Sequence, residues 1–361
     1  MPDVHRSPVM MPRARASLIV RSIGRAELTE ALAAAGAQTY PSLEVVVVDA
    51  TGGHHPPVPD RVGPHDVVFV AGSLPRTRPV AANAGLDAAS GDYLGFLDDD
   101  DTLLPGHVEG LAAALDADPR CGLAYCVARE IRRGGAVLRV GHARLSPLTM
   151  IESCHFPPCA ALFRRSIRER CRFDESLDAA EDWDFWIQVA RAAPFRFIPQ
   201  ETAVYRADRG RSAMTDGAAA SEHWRDVVRA KWSAERDALL RRVERKFDEA
   251  LDRWGRGDRA GTLQAVESTL ADYPFHVGAL NLRGSLRAEA GEFRGAWDDF
   301  DVAAEAAPED SASVFNLAQA TVRPGRLADA AVLYRRVLAI DALHPHARAR
   351  LAALLSAPPS P

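Results

Sequence analysis

The run VVVVD at residues 45–49 restricts the possible folds more than any other stretch of this sequence. Four β-branched residues with no polar interruption read as a strand, and a strand without a polar face must be covered on both sides. The flanking segments fit helices doing that covering. Residues 16–20 (ASLIV) form a short apolar run, followed by helical spacing over 27–36. Residues 66–70 are a third strand, 79–90 a second helix and 93–97 a fourth strand. Pro105 opens a helix running to 115, and 122–127 has the composition of a further strand. This alternation predicts an α/β fold with a doubly wound, mostly parallel sheet. Ligands of such sheets sit beyond the carboxyl ends of the strands, which here carry Arg21, Asp49 and the acidic run from Asp98.

After about residue 213 the strand signals stop. Residues 218–245 are charged and helical. Beyond them Gly257, Gly291 and Gly325 recur at 34-residue intervals. Ala296 and Ala330 follow the last two glycines at the same offset, then the aromatics Phe300 and Tyr334, and Pro274 and Pro308 also share a phase. The period and its small residues resemble TPR units at 243–276, 277–310 and 311–344, closed by a helix to about 355. Thr262 stands where the first unit would have alanine, and Ala342 where the third would have proline. The expected organisation is a flexible tail over 1–14, an α/β domain over 15–212, a helical linker over 213–242, TPR repeats over 243–355 and a flexible tail over 356–361.

A chain of 361 residues fits two domains, and its 47% apolar and 26% charged content is that of a soluble globular protein. A formal charge of −5 gives no basic face for nucleic acid. The five cysteines are odd in number and contain no C-x-x-C pair, which points to a reducing compartment. No stretch approaches the roughly 18 apolar residues of a membrane span, and the N-terminus lacks a signal-peptide core. The expectation is a cytoplasmic protein, with peripheral association at the inner membrane left open.

The segment GDYLGFLDDDDTLLP (91–105) brings four consecutive carboxylates, Asp98 to Asp101, off the end of a buried strand. Like charges so close repel unless a cation or hydrogen-bond donors neutralise them. Hard oxygen ligands suit Mg²⁺ or Mn²⁺ bridging to a diphosphate. The blander alternative is a solvated acidic loop whose Asp101 caps the next helix.

Four blocks carry a family resemblance: ASLIVRSIGR, QTYPSLEVVVVDA, RPVAANAGLDAASGDYLGFLDDDD and FDESLDAAEDWDFWIQVA. In order and spacing across residues 15–212 they resemble family 2 glycosyltransferases of the GT-A fold. The resemblance implies a metal-dependent enzyme moving a sugar from a nucleoside-diphosphate sugar to an acceptor hydroxyl with inversion, uridine being the commonest base. It implies that Asp49 hydrogen-bonds the base and that Arg21, Ser22 and Gly24 line the first loop. Arg78 and Asn83 would flank the nucleotide and diphosphate. Asp98 and Asp100 would form the DxD motif, the first near the ribose and the second on the metal, with Asp99 on the donor side and Asp101 in support. The sequence departs from the family at Ala82, where arginine is common, and at Ile23-Gly24, where Tyr-Asn is usual.

The same resemblance makes Asp182 the catalytic base, with Glu181 positioning it and Asp184 a lesser candidate; their other reading is first-turn acids complementing a helix dipole. TAVYRADRGRSA resembles a segment that closes over the metal, with Asp208 where histidine is common, so Asp98, Asp100 and Asp208 form the expected metal set. His54 and His55 read as solvated, His155 as a variable-segment residue, and Cys159 and Cys171 as small core residues. Trp183 and Trp186 fit packing or acceptor contact. The partners expected are the donor, a glycan, lipid-linked, protein or small-molecule acceptor, and a protein bound by the TPR array. Two other readings are a TPR scaffold carrying a degenerate transferase domain, which intact Asp98, Asp100 and Asp182 oppose, and a nucleotidyltransferase, for which SIGRAE lacks the glycine-rich signature.

Overall fold

The computed structural model describes residues 14–132, 135, 137–141, 144–207, 218–322 and 325–356. Residues 1–13 and 357–361 of the expected tails, and Asp208, lie outside them. The chain divides into two compact units, Met1–Ser233 and Ala234–Pro361.

The first unit contains, in order, β1 (Ala16–Ser22), α1 (Leu28–Gly36), β2 (Leu43–Asp49), β3 (Arg61–Val62), β4 (His65–Val70), α2 (Arg78–Ala88), β5 (Tyr93–Asp98) and β6 (Thr102–Leu103). It continues with α3 (His107–Ala117), β7 (Leu123–Ile131), β8 (Val137–Val140), α4 (Pro147–Glu152), β9 (Ala161–Arg164), α5 (Glu181–Ala192), β10 (Phe195–Tyr205) and α6 (Ala218–Lys231). The strands form one mixed sheet in the order β3-β4-β2-β1-β5-β9-β7-β10-β6, with β8 on β7. From β4 to β5 neighbouring strands are parallel, and β1 and β2 are buried along their whole length, as an uninterrupted apolar run requires. β9 follows a short 3₁₀ turn with no crossover helix and runs antiparallel to both β5 and β7. The parallel expectation therefore describes the first half of the sheet, and β9 reverses direction before β7 and β10 pair in parallel again.

Aromatic side chains fix the second half. Phe173 stacks on Phe185 with ring centroids 4.3 Å apart, and Phe96 meets Phe173 edge-on at 5.2 Å. Trp186 lies fully buried, 5.3 Å from Phe156, and Trp183 is buried with its Nε1 donating to the Met150 carbonyl at 2.5 Å. Both tryptophans pack in the core, and Trp183 also borders the cleft that holds Asp182. Cys159 and Cys171 are buried in this core.

The second unit is helical: α7 (Ser233–Gly255), α8 (Arg259–Asp272), α9 (Val277–Glu289), α10 (Phe293–Ala306), α11 (Ser311–Val322), α12 (Leu327–Ile340) and α13 (Ala347–Ser356). Gly257, Gly291 and Gly325 each lie between two helices in the left-handed region, at φ +77°, +84° and +79°. A Cβ at any of them would meet no neighbour, so the backbone turn alone demands glycine. Thr262, Ala296 and Ala330 are buried at one phase of the repeat, and Phe300 and Tyr334 are buried behind them. Ala250, Gly284 and Ala318 recur at a second phase, where a side chain on Gly284 would strike the Phe300 ring at 2.6 Å. Among the described residues no helix is long and apolar enough to cross a membrane.

Candidate active site

Strand register assembles the site. β1 lies between β2 and β5, so Ser22 falls opposite Asp49 and Arg21 opposite Asp98. Three strands thus deliver their polar ends to one edge of the sheet. Arg21 grips Asp98 with two parallel bonds, from Nε and Nη2, each 2.8 Å long. Its Nη1 donates to Glu181 Oε1 at 3.0 Å. Arg78 repeats the bridge, with Nε 3.0 Å from Glu181 Oε1 and Nη2 3.5 Å from Asp98 Oδ2. Burial would push the Asp98 carboxyl up, but the Arg21 and Arg78 guanidinium groups outweigh it and hold the group below its ordinary range.

The other three aspartates are served separately. Asp99 Oδ2 accepts from Ser22 Oγ at 3.1 Å and from the Ile23 amide at 3.0 Å. Asp100 Oδ2 accepts from Arg25 Nη1 at 2.5 Å. Asp101 Oδ1 accepts from the Arg206 amide at 2.9 Å, which ties the end of β10 to the acidic loop. Burial raises the carboxyls of Asp99 and Asp100 above the ordinary value, and burial together with the Asp98 charge drives Asp101 well above it. The sequence alone asks for a cation or hydrogen-bond donors to neutralise four clustered acids. Arg21, Arg25 and Arg78 supply much of that neutralisation from within the chain, and Arg25 was not singled out by the sequence motifs.

Among the described residues no group of three His, Cys, Asp or Glu side chains stands ready to hold a metal. The donors still suit a hard divalent ion that takes the rest of its shell from a diphosphate and water, as Mg²⁺ commonly does. Asp100 offers a carboxylate at the rim of the loop, its side chain 15% exposed. Asp101 is buried, with the Cys159 thiol beside its carboxylate.

Several residues expected to meet the donor also bond within the chain. Asp49 is buried, and its oxygens accept from the Thr51 amide and hydroxyl, both at 2.7 Å, and from the Gly53 amide at 2.9 Å. Burial raises its pKa and these bonds more than reverse the effect. It therefore shapes the loop after β2. Asn83, expected beside the diphosphate, spans from α2 to the 173–175 segment. Its Nδ2 donates to the Phe173 carbonyl at 3.0 Å and to Glu175 at 2.9 Å, while its Oδ1 accepts from the Phe173 amide at 3.0 Å. A buried amide satisfied at both ends positions the backbone. His55 also departs from the solvated expectation. Its Nε2 lies 2.8 Å from Ser22 Oγ, its Nδ1 2.7 Å from the Pro56 carbonyl, and its ring 5.4 Å from that of Phe69.

α5 supplies the second acidic group. Its N-cap, Ala180, is left-handed at φ 58° and ψ 19°, and Glu181, Asp182 and Asp184 occupy the first turn, where acids complement the helix dipole. The three part company there. Glu181 is buried under the two arginines. Asp184 faces α6 and accepts from Trp232 Nε1 at 2.7 Å, with Lys231 Nζ at 2.9 Å. Asp182 opens into a cleft of about 460 Å³ lined also by Arg78, Asp98, Glu181, His155, Tyr205 and Arg225. Burial, then the neighbouring Glu181 charge, raises its pKa to about 6 against the pull of Arg78 and Arg21. At the wall His155 Nε2–H donates to the Thr149 carbonyl at 2.9 Å.

Residues 19–172 match the family model described as Glycosyl transferase family 2. A Bacillus subtilis (strain 168) protein named "Uncharacterized glycosyltransferase YwdF" is 27% identical over 212 residues, which cover 56% of this chain and 78% of that protein. Among solved structures, S. aureus TarS 1–349 in complex with UDP-GlcNAc aligns over 94% of this chain and 89% of its own, with 14% identity and a TM-score of 0.46. A Thermobaculum terrenum O-GlcNAc transferase mutant aligns over 32% of this chain with 20% identity and a TM-score of 0.31. The chain spans 22% of that transferase and 54% of the longer TarS structure.

Proposed function

We propose, from the match of residues 19–172 to the Glycosyl transferase family 2 model, that the chain moves a sugar from a nucleoside-diphosphate sugar to an acceptor hydroxyl with inversion at the anomeric carbon. The observation that carries this reading is the single cleft shared by Asp98 from β5 and Asp182 from α5, with Arg78 and Glu181 between them.

In this reading Asp182 is the base. A carboxylate with a pKa of about 6 is ionised at neutral pH yet basic enough to take a proton from an alcohol as it attacks. The acceptor proton passes to Asp182, the acceptor oxygen bonds to the anomeric carbon, and the bond from that carbon to the diphosphate oxygen breaks on the opposite face. Glu181 holds Arg21 and Arg78 beside the leaving group, where their guanidinium groups meet the developing phosphate charge. Asp100, with Asp98 alongside, would hold a Mg²⁺ or Mn²⁺ ion, whose contribution is neutralisation of the departing diphosphate. The Asp49-bound loop over Thr51–Gly53 and the His55–Ser22 contact shape the nucleotide end of the edge.

The 34-residue recurrence of left-handed glycines between helices supports reading the second unit as TPR repeats, whose role is to recruit a protein partner or the acceptor. A panel of UDP-, GDP- and dTDP-sugars tests the enzyme reading. Asp100→Ala should abolish metal-dependent donor binding, and Asp182→Asn should retain donor binding and lose transfer. Transfer by both variants at the wild-type rate would overturn these assignments.

A further inference from the structure

Arg25 stands at the mouth of the acidic loop and has no part in the transfer steps above. Gly24 delivers it there from the left-handed region, at φ +75°, where an added Cβ would lie 2.6 Å from Pro56 Cδ. The Arg25 Nη1 is 2.5 Å from Asp100 Oδ2 and 3.6 Å from Asp99 Oδ1. The four aspartates differ in how firmly they are held. Asp98 is gripped by the buried Arg21 side chain, and Asp99 and Asp101 accept from backbone amides. Asp100 takes its charge partner from a long arginine side chain that is 25% exposed.

We propose that Arg25 is a built-in counter-ion that occupies the cation seat at Asp100 and leaves that carboxylate when a divalent ion binds. The inference rests on the reading of Asp100 as the metal-bearing residue. Asp100 would hold Mg²⁺ or Mn²⁺ through the same carboxylate that Arg25 now contacts. Two cations on one carboxylate repel strongly in a part-buried site, so the guanidinium and the metal compete for it. Without nucleotide the acidic loop is therefore kept nearly neutral and its affinity for cations low. A diphosphate arriving at this edge offers the displaced guanidinium a new anion, which makes nucleotide and metal binding mutually reinforcing.

The test is Mn²⁺ binding to the full chain, followed by electron paramagnetic resonance without nucleotide, for wild type, Arg25→Gln, Arg25→Lys and Asp100→Asn. Circular dichroism melts establish that each variant is folded. Arg25→Gln should bind Mn²⁺ roughly tenfold more tightly than wild type, the scale of removing one close competing charge. Arg25→Lys, which keeps the charge, should stay near wild type, and Asp100→Asn should lose the site. Equal or weaker binding by folded Arg25→Gln, with Asp100→Asn still losing the site, overturns the role of Arg25 and leaves Asp100 as the metal residue. Tight binding by Arg25→Lys as well as Arg25→Gln also overturns it, because charge would not be the cause. Absence of saturable Mn²⁺ binding in wild type and Arg25→Gln, even with UDP, GDP or dTDP added, removes the metal reading and this proposal together.

Discussion

Replacing Asp182 by asparagine should make the protein more stable and inactive, and the two effects should share one pH window. Asp182 is partly buried beside Glu181, and its pKa rises from the ordinary 3.8 to about 6. Between those values the folded protein keeps a proton that the unfolded chain has released. Its contribution to stability is therefore full at low pH, falls as pH rises through the window, and is lost above about 6. At about 1.4 kcal/mol per pH unit the ionised group costs up to about 3 kcal/mol at pH 8. Asparagine has no such cost, so Asp182→Asn should melt above wild type at pH 8 and converge with it near pH 4. Catalysis runs the other way. A base with a pKa of about 6 is some nine-tenths protonated at pH 5, so wild-type kcat/KM should fall about tenfold per pH unit below 6. The variant should lose about 10²- to 10⁴-fold of the plateau rate, the usual share of a general base. Calorimetric melts from pH 4 to 8, paired with nucleoside-diphosphate release over the same range, measure both. The reasoning fails if the asparagine variant is less stable at pH 8, or if it keeps the acidic limb of the wild-type profile.

Two further changes probe the frame around the site. Arg21→Met strips Asp98 and Glu181 of the more buried of their two shared arginines, leaving only Arg78, and breaking a buried pair of this kind should cost about 3–5 kcal/mol in denaturant unfolding; a loss below 1 kcal/mol would contradict the bridging role. Gly291→Ala forces a left-handed alanine into open space and should cost about 1 kcal/mol, whereas Gly284→Ala, which meets the Phe300 ring, should cost more in the same melts.

The two halves of the chain were legible in the sequence for different reasons. β1, β2 and β5 carry apolar runs long enough to declare burial on both faces, and the glycine period marks the helical turns without reference to anything else. The two-residue strands β3 and β6 and the reversed β9 have no such signature, because their place depends on partners far along the chain. The site divides in the same way. The acidic run and the ED pair are visible as local motifs. Arg21 and Arg78 reach Glu181 across 160 and about 100 residues of sequence, and Arg25 reaches Asp100 across 75. No local spacing announces those pairings. Asn83 and Asp49 show the converse, since matching a motif by position did not reveal that Asp49 also accepts from Thr51 and Gly53 and that Asn83 also bonds to Phe173 and Glu175.

Ala180 gives the entrance to α5 a mechanical character. A left-handed alanine holds about 1 kcal/mol or more of strain that glycine would relieve. Glycine would also let the joint swing, whereas alanine leaves it few other shapes to adopt. The two carboxylates that follow are thus mounted on a stiff bracket, and their aim survives thermal agitation that a looser joint would pass on to them.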